Sequence, residues 1–79
     1  MKAWAIDVDG FDPMVAAADT RNKAAFLAFH CAHEAGYSSV TFARIKARRC
    51  ERLDTWAAKQ EKSNLRAMSQ AEWEASCAV

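Results

Sequence analysis

Apolar and polar positions alternate from Lys2 to Val8, with Trp4, Ile6 and Val8 on one side and Ala3, Ala5 and Asp7 on the other. That period of two predicts a strand over residues 2–8. Asp9-Gly10-Phe11-Asp12-Pro13 follows, and its residue types predict a hairpin turn. Residues 14–18, MVAAA, then read as a second strand. Their alanines alone favour helix, but a turn precedes them and a helix cap follows.

The period changes to that of a helix over residues 18–36. Thr20, or Asp19 before it, supplies a capping oxygen, and Gly36 suits a left-handed C-terminal closure. The helix has two apolar sides. Ala24, Leu27, Ala28, Cys31, Ala32 and Ala35 form a smooth one, suited to packing on a sheet. Phe26, Phe29, His30 and His33 form an opposite, aromatic one.

Residues 40–50 read as a third strand. Ile45 and Ala47 point one way, and Arg44, Lys46 and Arg48 the other. Phe42 is out of phase with Ile45, which implies a bulge or a late strand start near Ala43. The tail is helical in pattern. Asp54 is placed to cap residues 55–62, Ser63-Asn64 breaks the run, and Ser69-Gln70-Ala71-Glu72 is a capping-box start for a short helix carrying Trp73. The expected architecture is α+β: a β-β-α-β core over residues 1–54, with a three-stranded antiparallel sheet, and a helical tail over 55–79 in the same domain. The tail has two places to pack, the open face of the sheet or the Phe/His side of the helix.

Seventy-nine residues make one domain with a modest core, and alanine inflates the apolar fraction. The net charge of +1 argues against polyanion binding by bulk charge. Its distribution is uneven. Arg44, Lys46, Arg48, Arg49 and Arg52 face a single acid, Glu51, whereas the first nineteen residues hold Asp7, Asp9, Asp12 and Asp19 against Lys2. Cys31, Cys50 and Cys77 show no paired spacing, and the start has no secretory pattern, so reduced thiols are the expectation. No run approaches the ~20 apolar residues of a membrane span.

Asp7-Val8-Asp9-Gly10 after an apolar strand is how haloacid-dehalogenase-type phosphatases begin, with paired aspartates as nucleophile and acid/base. Phe11 replaces the threonine that should follow, and the chain lacks room for the remaining site. An EF-hand fails because Gly10 is too early in the loop. A turn remains. His30 and His33 could share a metal, but Cys31 points elsewhere and no further ligand pair exists. No cofactor or metal is expected. Nothing supplies the orienting group or oxyanion loop that a Cys–His enzyme needs, so the expectation is a non-enzyme. The Arg44/Lys46/Arg48 row is either a solvated face or a surface for an acidic partner or a phosphate backbone. No aromatic interleaves it, which argues against base readout. The Phe26/Phe29/His30/His33 side is either core beneath the tail or an interface.

Several residues together resemble a family of small phage and prophage proteins. These are Lys2-Ala3-Trp4, the helix start Ala18-Asp19-Thr20-Arg21 with Lys23 and Ala24, then Leu27, Ala28, Phe42, Ile45, Arg48, Arg49, Leu53 and Asp54. The resemblance implies a mobile-element origin and a β-β-α-β fold, and brings no catalytic residues. In size and style such proteins are similar to anti-CRISPR proteins. The resulting expectation is a phage-encoded inhibitor that occludes a host immune complex, a Cas effector, in the bacterial cytosol. Its partner-binding residues would be Arg44, Lys46, Arg48, Arg49 and Arg52, then Phe26, Phe29 and His30. Alternatives are a nucleic-acid-binding accessory protein of a phage and a homodimer joined through the Phe/His side.

Overall fold

A four-stranded antiparallel sheet in the order β3-β1-β2-β4 divides the molecule into two cores, as seen in a computed structural model that describes residues 1–76. The elements are β1 (Lys2–Asp7), β2 (Met14–Ala18), α1 (Arg21–Glu34), β3 (Lys46–Arg49), α2 (Asp54–Ala58), β4 (Asn64–Ala67) and α3 (Gln70–Ser76). The fold is α+β, as the pattern of residues predicts, with one strand more than the three expected.

β1 and β2 form a hairpin, with Lys2 opposite Ala18 and Ile6 opposite Met14. The Asp-Gly pair shapes its loop. Phe11 N–H donates to the Val8 carbonyl at 3.0 Å, and Gly10 takes φ +85°, a conformation that a side chain resists. The following cap is also as predicted: Thr20 Oγ1 accepts from Lys23 N–H at 3.2 Å. At the far end Gly36 has φ +95°. Tyr37 N–H donates to the Ala32 carbonyl and Gly36 N–H to that of His33, the paired bonds of a Schellman closure.

One core lies between α1 and the sheet. Trp4, Ile6, Ala16, Ala18 and Leu65 meet Ala24, Ala25, Ala28 and Ala32 there. The helix is rotated slightly from its expected placement: Ala25 is buried, while Cys31 and Ala35 are exposed. The second core is built from Ala3, Ala5, Val15, Ala17, Cys50, Leu53, Trp56, Ala57, Met68 and Trp73. Both faces of β1 and β2 are therefore covered, which is why MVAAA carries no polar alternation.

The tail accounts for the other departures. α2 ends at Ala58, short of the predicted residue 62, because the chain must reach the free edge of β2. It arrives as β4, with Val15 opposite Arg66 and Ala17 opposite Asn64. α3 begins as predicted, with Ser69 Oγ accepting from Glu72 N–H at 3.1 Å. Glu72 does not complete the capping box, because its carboxylate takes both Nη atoms of Arg66, at 2.9 and 3.0 Å. β3 starts late, at Lys46, after a 3-10 turn over Phe42–Arg44, so Arg44 lies outside the strand. Cys50 is disulfide-bonded, contrary to the expectation of reduced thiols. Cys31 is a free thiol.

Candidate functional site

Because α2 and α3 take the far face of the sheet, the aromatic side of α1 stays uncovered. Positions 26, 29, 30 and 33 recur at i, i+3, i+4 and i+7 and so line one stripe of the helix. Their rings form a continuous series. Phe26 and His30 meet edge to face at 4.5 Å between centroids, and Phe29 lies 6.3 Å from Phe26 and 4.2 Å from His33. The 3-10 turn adds Phe42, 6.2 Å from Phe29. Phe26 is 51% exposed and Phe42 42%, large values for rings of this size. With Asn22, Lys23, Leu27 and Ser63 they bound a shallow depression of ≈ 430 Å³.

His33 has a structural task within this stripe. Its Nε2 is 2.8 Å from the Val40 carbonyl, so Nε2 carries a proton and donates. That bond ties the α1–β3 connection to the helix and holds the ring against Phe29. Among the described residues, no three His, Cys, Asp or Glu side chains are grouped to hold a metal. Asp7 and Asp9 are both exposed, on the end of β1 and in its turn.

The five cations named from the sequence have different surroundings. Arg44 and Lys46 are exposed. Arg48 lies on the opposite face of the sheet from α1, its guanidinium 5.4 Å from the Trp73 ring centroid. Arg49 is half-buried and turned inward. Its Nη1 and Nη2 donate to Asp54 at 2.8 and 2.6 Å, and Nη1 also to the Ala3 carbonyl at 2.9 Å. Ala3 N–H in turn donates to Asp54 at 2.8 Å. The hydrogen bond from Arg49 holds the Asp54 carboxyl down to about 2; partial burial opposes the shift and the Ala3 N–H adds to it. Arg52 Nη1 donates to the Ala75 carbonyl at 2.7 Å, clasping α3. Arg49 and Arg52 thus hold the fold together, and Arg44 and Lys46 are solvated.

Three neighbours of the site were not among the partner-binding residues expected from sequence: Arg21, Lys23 and Phe42. Phe42 left a signal, since its phase mismatch with Ile45 implied an irregular segment, and irregular segments often present side chains outward. Arg21 and Lys23 left none beyond their place in the first helical turn. Comparison with family models, curated proteins and solved structures finds no match to this chain.

Proposed function

We propose that this protein is a non-enzymatic binding protein that docks a protein partner on the aromatic stripe of α1. The observation that carries the reading is the uncovered pair Phe26 and Phe42, which extend the Phe29–His33 ring series to the surface. Rings already held in place lose little freedom on binding, and aromatic side chains dominate interface energetics. Lys23 lines the depression beside Phe26 and adds a cation at its border, which suits a partner with an acidic group beside an apolar anchor. No helix among the described residues is long and apolar enough to cross a membrane.

The more specific form of the proposal is a phage-encoded inhibitor that occludes a surface of a bacterial immune complex such as a Cas effector. It rests on the resemblance carried by Lys2-Ala3-Trp4 and the Ala18–Ala24 helix start. The host cytosol is the location that goes with it, and the disulfide at Cys50 weighs against that location.

Affinity capture from bacterial lysate, with and without nuclease, tests the proposal. A protein complex should be retained after nuclease and reduced at least about tenfold by Phe26→Asp, with no loss of thermal stability because the ring is half outside the fold. Loss of the captured material with nuclease would move the function to nucleic acid. A doubled molar mass by light scattering, abolished by the same substitution, would make the stripe a homodimer interface.

A further inference from the structure

The two edges of the sheet are finished differently. On β4, Met68 N–H donates to the Pro13 carbonyl, which sets the phase of the ladder and turns the backbone groups of Leu65 and Ala67 outward. Both residues have an outward group satisfied by a neighbouring side chain. Leu65 N–H donates to Asn64 Oδ1 at 2.8 Å, and the Ala67 carbonyl accepts from Arg66 Nη1 at 3.5 Å. This is a blunted edge.

On β3 the phase is set by Cys50 N–H, which donates to the Ala3 carbonyl at 3.0 Å. With Trp4 opposite Arg49 and Ala5 opposite Arg48, alternation directs the backbone of Lys46 and Arg48 to β1 and that of Ala47 outward. No partner for the Ala47 N–H or carbonyl occurs among the described residues. A groove flanks this edge on each face. On the α1 side, ≈ 370 Å³ is bounded by Arg21, Asn22, Ala25, Phe42, Ile45 and Lys46. On the other, ≈ 270 Å³ is bounded by Ala5, Asp7, Ala47, Arg48 and Trp73.

We propose that the outer edge of β3 is a docking edge for an extended acidic segment of a partner protein, added to the sheet beside Ala47. The backbone of Ala47 would supply the ladder bonds, and the two grooves would receive successive side chains, which alternate between the faces of a strand. Charge selects the occupant. Arg21 and Lys46 line these grooves, and Asp7 is the acid among their described lining residues. A second copy pairing edge to edge would set these cations against their own kind, which disfavours the pairing. A nucleic acid offers no peptide groups to continue the ladder at Ala47.

The probe is a capped seven-residue peptide alternating glutamate with valine, titrated into the 15N-labelled full chain. The Ala47 amide should shift, and its hydrogen exchange should slow about tenfold or more in the complex. Ala47→Pro removes the outward N–H, and proline is accepted on a strand edge where that group faces solvent. It should weaken binding at least about tenfold, as should Lys46→Glu. If Ala47→Pro does not fold, Lys46→Glu decides: lost binding supports the proposal and retained binding overturns it. Absence of an Ala47 shift up to about 2 mM peptide overturns it. So do equal binding of a cationic peptide with lysine in place of each glutamate, the same shift produced by a single-stranded oligonucleotide, and a dimer that Ala47→Pro dissolves.

Discussion

Asp54 shows how one residue can be read correctly for place and wrongly for task. It stands at the start of the predicted tail helix, where a carboxylate commonly caps the first turn. Here its oxygens go to Arg49 and to Ala3 N–H, joining the end of β3 and the start of α2 to the start of β1. Its pKa is depressed to about 2, so this contribution is fully present above the unfolded value near 4 and is lost as pH falls through about 2. The side chains of Arg49 and Asp54 are 32% and 37% exposed, and solvent screening reduces the effect to the order of 1 kcal/mol. Acid titration of the melting temperature should show a decline between about pH 4 and 2 that Asp54→Asn flattens. An unchanged decline in that variant would place the acid sensitivity elsewhere.

At the scale of elements, the contact between α1 and the sheet is decided by small side chains. Ala24, Ala25 and Ala28 face Ala16 and Ala18, so the helix lies on a surface with few projections. At Ala24, which is fully buried, such a seam leaves no space for added methylenes. Ala24→Leu should therefore destabilise the protein by about 2 kcal/mol through overpacking, read from the midpoint of urea denaturation. A substitution tolerated within about 0.5 kcal/mol would mean that the helix can move off the sheet freely. The same seam explains which parts of the pattern were legible. Alternation in β1 and the capped run of α1 were plain, because each element carries its own periodic signal. β4 was not. Asn64-Leu65-Arg66-Ala67 holds a single large apolar residue, and it becomes a strand by pairing with β2 while Arg66 engages Glu72 and the Trp56 ring, 4.9 Å away.

For the molecule as a whole, β1 and β2 contribute to both cores. Neither the α1 side nor the α2/α3 side can be removed without uncovering the sheet. Unfolding should be a single transition in which far-ultraviolet circular dichroism and tryptophan fluorescence share a midpoint. Fluorescence that changes first would show the tail core, with Trp56 and Trp73, separating before α1 and the sheet.

The identities and order of β1, β2, α1 and α3, the two turns at glycine and the aromatic stripe were determined by the sequence itself. Local rules govern them: alternation, helical spacing, capping oxygens and the steric freedom of glycine. The fourth strand, the late start of β3 and the side on which the tail packs were decided only by tertiary structure. Each depends on contacts between residues far apart in the chain, as Ala3 with Asp54 and Val15 with Arg66. That placement of the tail also decided the site. The Phe26–His33 stripe has the composition of either a core or an interface, and it is left at the surface because the tail packs on the opposite face of the sheet, against Ala3, Ala5, Val15 and Ala17.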